Sequence, residues 1–257
     1  MLKKRDKLLV AVSGGPDSAA LLHLLWRIGR ERDLALYVVH LNHALRGSLA
    51  DQDQNYVKEL AQKLSLPFFT EKVAVASLAQ ERGLTVEEAG RFARYRFFAQ
   101  VAGEVGAGKV AVGHNADDQA ETVLMRLLRG TGARGLGGIA PVGEHSGLIV
   151  VRPIIECTRE QIEAYCNWAQ LSPRLDATNR ELIYFRNRIR HRYLPLLEEE
   201  NPSLRLNLAQ TAQVLRAEDE YLDTIAQKHC AAWSEGEIPL EALNLHPALV
   251  RRAVRLA

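Results

Sequence analysis

The sequence predicts an α/β protein in which a parallel sheet flanked by helices is followed by a small all-helical region. Three observations carry that reading. Runs rich in Val and Leu alternate with single helical patterns from Leu8 onward, and uniformly apolar runs mark strands covered on both faces. The six residues Ser13-Gly14-Gly15-Pro16-Asp17-Ser18 join the first such run directly to a helix. Beyond Pro202 the strand-like runs stop and only helical periodicity continues.

LLVAV (8–12) reads as the first strand and 17–31 as the first helix. The strands LALYVVHL (34–41), PFFTEKV (67–73), KVAVG (109–113) and LIVVRP (148–153) follow, with helical patterns at about 49–65, 86–105 and 116–129. Single helices between strands imply right-handed crossovers, which place ligands at the carboxyl ends of the strands where the strand order reverses. SGGPDS, HLNHALRG and GHNADDQAET each follow a strand directly. The Gly-rich stretch RGTGARGLGGIAPVGEHSG (129–147) reads as a mobile connecting loop. Trp26, Phe97 and Phe98 are expected in the core, since each falls on the apolar side of a helical pattern. The tail reads as one helix from Leu204 to about Lys228 and a second near Leu240 to Leu256. Because HPALVRRAVRLA stops inside an amphipathic pattern, the expected organisation is a catalytic domain at 1–200 and, at 201–257, the beginning of a truncated helical region.

With 257 residues, 47% of them hydrophobic, the chain can bury a full core. No apolar run approaches the ~20 residues of a membrane span, and the basic tip MLKKRDK leads straight into the first strand without a signal-peptide pattern. Cys157, Cys166 and Cys230 form no C-x-x-C pair, which excludes a disulfide framework and the usual zinc or iron–sulfur spacings. The expectation is a cytoplasmic protein with no membrane partner. Residues 199–257 hold 6 Lys and Arg against 9 Asp and Glu, which leaves 27 against 22 in the first 198. That imbalance suits a polyanionic partner for the first part.

The loop at Ser13–Ser18 carries the strongest chemical signal. Glycines at 14 and 15 can take positive φ and bring backbone N–H groups together on an anion, with the following helix adding its dipole. Ser13 and Ser18 add hydroxyls, and Pro16 suits the first turn of a helix. Asp17 repels a bare phosphate, so the set fits a Mg²⁺–polyphosphate complex with Asp17 as the metal-bridging carboxylate. A second stretch, Gly103 to Lys109, has Walker A spacing, but Val110 replaces the Ser or Thr that would bind Mg²⁺. It follows a helix and precedes a strand, so it reads as a plain turn.

In GHNADDQAET, Asp118 and Glu121 lie three apart on one face of a helix beginning near Ala116. Such a pair can hold Mg²⁺ or an ammonium group, whereas Asp117 and Asp118 also suit the helix dipole. His114 reads equally as a polar contact, a general acid or base, or a strand-end histidine with a satisfied hydrogen bond. His40, Asn42, His43 and Arg46 follow the second strand and can line a nucleotide or cytidine pocket; His40 equally reads as buried and structural. In RNRIRHR (186–192), Arg186 and Arg190 share one helical face, and Arg188 and Arg192 another. The run suits either a solvated face or a stripe that tracks phosphates.

SGGPDS resembles the SGGxDS pyrophosphate loop (PP-loop) of the ATP pyrophosphatases, Rossmann-like enzymes that cleave ATP between the α and β phosphates. SGGPDS, HLNHALR, EEAGRFARYRFF, GHNADDQAET, RGTGARGLGGI, RPI and DATNRELIYFRNRIR, in this order and spacing, resemble the tRNA(Ile)-lysidine synthase family from about Leu8 to Leu197. Asn115 stands where that family often has a second His, and Thr178 replaces the usual Ser before Asn179. The resemblance implies ATP and free L-lysine as substrates, Mg²⁺ as cofactor, and a tRNA(Ile) with a CAU anticodon as partner. ATP adenylates C2 of the wobble cytidine, and lysine displaces AMP. In that scheme Ser13 to Ser18 hold the phosphates together with His40 and Asn42. Arg94 sits near the α-phosphate or the tRNA, and Arg186 lies in the active site. Asp118 and Glu121, with His114 nearby, orient and deprotonate the lysine ammonium. His43, Arg46, Arg188, Arg190 and Arg192 contact the tRNA. A homodimer is the default assembly. The alternatives are another PP-loop enzyme acting on tRNA, such as a thiolase, and a non-catalytic nucleotide- or RNA-binding module. The missing C-x-x-C pairs weigh against the first, and the clustered acids against the second.

Overall fold

The computed structural model describes residues 1–45, 47–174, 182, 184–230 and 244–256. In chain order the elements are β1 (Lys7–Ala11), α1 (Pro16–Arg32), β2 (Ala35–Asn42), α2 (Ser48–Lys63), β3 (Phe68–Lys72), α3 (Val75–Arg82), α4 (Val86–Val105) and β4 (Lys109–Ala111). Then come α5 (Ala116–Arg129), α6 (Ala133–Leu136), β5 (Val142–His145), β6 (Leu148–Val151), α7 (Arg159–Trp168) and α8 (Phe185–Arg188). A π-helical turn (Ile189–Tyr193), α9 (Leu194–Glu198), α10 (Leu204–Cys230) and α11 (Pro247–Leu256) complete it. None of the described helices is long and apolar enough to cross a membrane. The chain forms two compact units, Met1–Asp118 with Ala140–His191, and Gln119–Ile139 with Arg192–Ala257. The second unit therefore recruits an internal segment as well as the helical tail expected from residue 201.

The first unit contains the whole sheet, in the order β3-β2-β1-β4-β6-β5. Every pairing is parallel except β5 with β6. β1 shows why the apolar runs become central strands. Leu8, Val10 and Val12 face one layer, packed with Leu21, Leu22 and Leu25 of α1, Val57 and Leu60 of α2, and Ile162 of α7. Leu9 faces the other, with Val39, Val110, and Ala93, Phe97, Phe98 and Val101 of α4. Alternate residues of a strand point to opposite faces, so a strand covered on both must be apolar throughout. Trp26 is only partly buried, packing at the edge of the first layer and stacking on His23.

The strands lie within two residues of their expected positions, and the Walker-like stretch is the turn it was read as. Gly106, with φ of 69°, caps the end of α4, and β4 starts at Lys109. Among the described residues, four short helices and one strand lie outside the expected elements. α3, α6, α7 and α9 span only 8, 4, 10 and 5 residues, too few turns for a strong periodic signal. β5 lies inside the glycine-rich stretch 129–147, where the sequence predicts a mobile loop. Ser146 and Gly147 both have positive φ (52° and 75°), which gives a tight turn of the kind that sends β5 back against β6 as an antiparallel hairpin.

The first part of that glycine-rich stretch is also fixed, within the second unit. Gln119 holds Ile139 from both sides, donating to its carbonyl at 2.7 Å and accepting its N–H at 2.6 Å. Arg126 donates to the carbonyls of Gly135 and Gly138, both at 2.8 Å. Arg216 of α10 donates to those of Gly137 and Ile139. The glycines permit this fit: a Cβ on Gly138, whose φ is +63°, would lie 2.3 Å from Gln119 Oε1 and 3.2 Å from Ala212 Cβ. Elsewhere in this unit, buried Arg252 of α11 pairs with Asp219 and Asp223 of α10.

Candidate active site

The strand order reverses between β1 and β4, so their carboxyl ends splay apart and leave a crevice. The chain leaves β1 through Val12, whose N–H still pairs with Val39 at 3.0 Å. Its carbonyl accepts the Nδ1–H of buried His40 at 2.8 Å. Burial lowers the His40 pKa. This is the structural reading of His40: it fixes the entrance of the loop.

Only one of the two glycines uses its special freedom. Gly14 has φ of +100°, whereas Gly15 is the extended N-cap of α1 at φ −75°, followed by Pro16 in the first turn. The Ser18 hydroxyl accepts the N–H of Ser13 at 3.0 Å and donates to Gly15 O at 3.1 Å. It also lies 3.1 Å from the Ser13 hydroxyl. Ser18 thus clamps the loop from within, and Ser13 is exposed at its tip. Behind the loop, Arg174 donates its backbone N–H to Gly14 O at 3.0 Å and its Nε to Asp53 at 2.6 Å.

β4 delivers the second segment against this loop. A Cβ on Gly113 would lie 3.1 Å from the carbonyl carbon of Asp17 and 3.2 Å from Ser18 N, so a glycine lets the two chains meet. Asn115, 2% exposed, stands where they touch. Its Nδ2 donates to Asp17 Oδ1 at 2.8 Å, while its Oδ1 accepts the N–H of Asp118 at 2.9 Å. Asp118 Oδ2 in turn accepts the N–H of Asn115 at 3.1 Å, a reciprocal capping box at the start of α5. Asp117 caps a different helix, accepting the N–H of Arg159 at the start of α7 at 2.9 Å. Burial raises the Asp17 pKa; Asn115 opposes the shift and the neighbouring carboxylate of Asp118 adds to it.

Asp118 Oδ1 receives Arg186 Nη2 at 2.9 Å and Arg190 Nη2 at 3.2 Å. Arg186 and Arg190 share a face, as the spacing required. Both oxygens of Asp118 are thus engaged within this unit. Glu121, one turn on in α5, is completely buried and belongs to the second unit. Arg190, expected as a tRNA contact, stands beside Arg186 on the same carboxylate.

His114 is half-buried, and its Nδ1 accepts from Arg152 Nε at 3.1 Å. Burial, with Arg152, Arg186, Arg94 and Arg91 nearby, pushes its pKa down to about 3. A ring held neutral in this way is a poor proton carrier near pH 7, which favours the polar-contact reading of His114 over the general-acid one. Arg94 Nη2 lies 3.4 Å from His43 Nε2. Asn42 is structural: its Nδ2 donates to Asp51 at 2.9 Å and Gln54 at 3.2 Å, and its Oδ1 accepts Ala44 N at 3.0 Å. With both amide hydrogens and the oxygen occupied, it holds the turn after β2 and has no donor left for a nucleotide. Arg188 donates to Leu182 O at 3.1 Å and stands over the Phe185 ring. Arg192, over the Tyr193 ring, is exposed and falls in the second unit. Arg46 lies outside the described residues, as does the DATN segment at 176–179.

Arg152, Asn115, Gly113 and Arg174 were not singled out as site residues. The first three sit in stretches that carry the family resemblance, RPI and GHNADDQAET. Arg174 gives no local signal, since its partners Gly14 and Asp53 are distant in sequence.

The fold and the loop define an α/β domain with an anion-binding turn at its topological switch point. Residues 2–197 match the PP-loop domain family, and the chain belongs to that family. The chain is 45% identical over 270 residues to the tRNA(Ile)-lysidine synthase of Symbiobacterium thermophilum, covering 100% of this chain and 56% of that protein. It is 42% identical over 262 residues to the tRNA(Ile)-lysidine synthase of Caldanaerobacter subterraneus subsp. tengcongensis, covering 99% and 55%. The chain thus spans about half the length of the curated relatives it matches. Among solved structures, the U34-tRNA thiolase NcsA of Methanococcus maripaludis shares the fold at a TM-score of 0.67 and 16% identity, covering 84% of this chain and 73% of that one.

Proposed function

We propose that this chain carries the catalytic part of a ligase that joins free lysine to C2 of the wobble cytidine of a tRNA(Ile) with a CAU anticodon. The observation that carries the proposal is the Asn115 bridge, which ties the loop aspartate Asp17 to the Asp118–Arg186–Arg190 cluster in one unit. The 45% identity to a tRNA(Ile)-lysidine synthase supports the choice of substrates.

In the first step the C2 oxygen attacks the α-phosphorus of ATP. The bond to the β-phosphate oxygen breaks, and pyrophosphate leaves with the electron pair. The Ser13–Ser18 loop and the N-terminus of α1 hold the phosphates, and Arg186, Arg190 and Arg94 offset their charge. Mg²⁺ typically binds one or two carboxylates together with phosphate oxygens and water. Asp17 fits that role: one oxygen is fixed by Asn115, and its raised pKa marks a desolvated carboxylate that a cation would relieve. When bound, the ion would neutralise charge on the departing pyrophosphate.

In the second step the lysine ε-amine attacks C2, AMP leaves, and the amine gives up a proton. The family resemblance gives Asp118 and Glu121 the part of orienting that amine and taking its proton. The expected result of Glu121→Ala is a larger loss in lysine transfer than in pyrophosphate release.

The reading is tested by incubating the protein with ATP, Mg²⁺, radiolabelled lysine and a panel of tRNAs. Incorporation into the CAU-anticodon isoleucine tRNA alone is the expected result. Formation of AMP and pyrophosphate without lysine incorporation overturns it. The thiolase alternative is weakened by Cys157, Cys166 and Cys230, which are free thiols with no C-x-x-C spacing.

A further inference from the structure

His114 is left with one chemical option by its neighbours. A guanidinium nitrogen can only donate a hydrogen bond, so the Nδ1 that faces Arg152 Nε at 3.1 Å must carry the ring's lone pair. A neutral imidazole with a bare Nδ1 has its proton on Nε2. Arg152 is itself held: its Nη1 donates to Ala140 O at 2.7 Å, and its backbone N–H donates to Pro141 O at 2.9 Å. The guanidinium therefore reaches His114 from a fixed base. Protonation of Nδ1 would break the bond and place a cation among Arg91 and Arg94 of α4, Arg152 at the end of β6, and Arg186 of α8. Among the described residues, those four side chains are the charged groups that act on the ring.

We propose that Arg152 is a positioning residue that locks His114 as its Nε2–H tautomer. The ring then serves as a hydrogen-bond donor to a substrate oxygen that gains negative charge, and not as a proton-transfer base. This deepens the reading of the site as one of nucleotidyl transfer and rests on it for the identity of the oxygen. A donor already in place when charge develops needs no reorganisation at that moment. A base at this position has no free lone pair: Nδ1 is occupied and Nε2 is protonated.

The tautomer is read directly by nitrogen-15 NMR of the histidine rings in the unmodified protein, with the His114 signals identified by their loss in His114→Gln. The expected wild-type pattern is a protonated Nε2 and an unprotonated Nδ1, unchanged between pH 8 and pH 5. In Arg152→Met the two nitrogens should average between tautomers, and the ring should titrate toward the ordinary imidazole value of about 6.5. The same variant should lose on the order of tenfold to a hundredfold in kcat for pyrophosphate release, with a smaller change in KM for ATP. Arg152→Gln keeps an N–H donor and should restore the tautomer in part, and the rate with it. A wild-type ring protonated on Nδ1 overturns the proposal, as does an Arg152→Met ring with the wild-type pattern. The tautomer is measured without RNA, so its outcome stands apart from the lysine assay. The wild-type pattern combined with absent lysine transfer would overturn the lysidine reading alone.

Discussion

Asn115 decides what its acidic neighbours can do. Asp17 and Asp118 are like charges, and a histidine between them could donate only through ring nitrogens whose protonation varies with pH. The amide offers a donor to one acid and an acceptor to the backbone of the other at any pH. Asp17 still carries the cost of its burial, so Asp17→Asn is expected to stabilise the fold at pH 7 by on the order of 1 kcal/mol while abolishing pyrophosphate release. The sign follows from its raised folded-state pKa. Stability from this group is present at low pH and lost as pH rises through that value. Denaturant melts of the two proteins, set beside a pyrophosphate assay, check both halves. Gly113→Ala tests the contact of the two chains. Its Cβ would meet Asp17 and Ser18 backbone at 3.1–3.2 Å, and shifts of ~1 Å in a reacting group can cost about 10²-fold in rate. A larger loss in kcat than in melting temperature is expected, measured by pyrophosphate release and thermal unfolding.

Single elements were legible in proportion to their length and regularity. α4 declared both ends, a Thr85–Glu88 capping box at the start and Gly106 at the finish. Thr85→Ala removes the side-chain acceptor for Glu88 N and should cost about 1 kcal/mol. Because Thr85 and Glu88 are exposed and their side chains pair with each other in the capping box, catalysis measured below the melting transition should not change. β5 was missed because its turn is Ser-Gly, without the Asn-Gly or Asp-Gly that usually signals a two-residue hairpin. The Arg186–Arg192 run was legible as far as Arg186 and Arg190 sharing a face. Their common partner, Asp118, is 68 positions from Arg186 and 72 from Arg190, and local spacing carries no record of such a meeting.

For the whole molecule, the order of strands and helices predicted that ligand chemistry would gather at the carboxyl edge of the sheet, and the phosphate loop lies there. What could not be read was which polar groups would spend their hydrogen bonds on one another, as Asn42 and Asp118 do. The buried histidines make stability depend on pH. His40 and His114 both have lowered folded-state pKa values, His114 at about 3. The unfolded chain therefore binds protons first, and stability present above about pH 6.5 falls as the pH drops below it. Asp17 opposes the trend only near its raised value. The melting temperature is expected to decline from pH 7 to pH 5, and His40→Gln should flatten the slope, as scanning calorimetry would record. The clasp on the glycine-rich stretch has an effect of another kind. Five glycines in the eleven residues from Arg129 to Ile139 would ordinarily mark the chain's easiest place to cut. With Gln119, Arg126 and Arg216 gripping its carbonyls, a protease must first open that clasp to thread the backbone through its cleft. Trypsin, which has targets at Arg129 and Arg134, should therefore nick this stretch late in the native protein and early in Arg216→Ala. The order of fragments on a gel would reveal a joint that composition alone presents as slack.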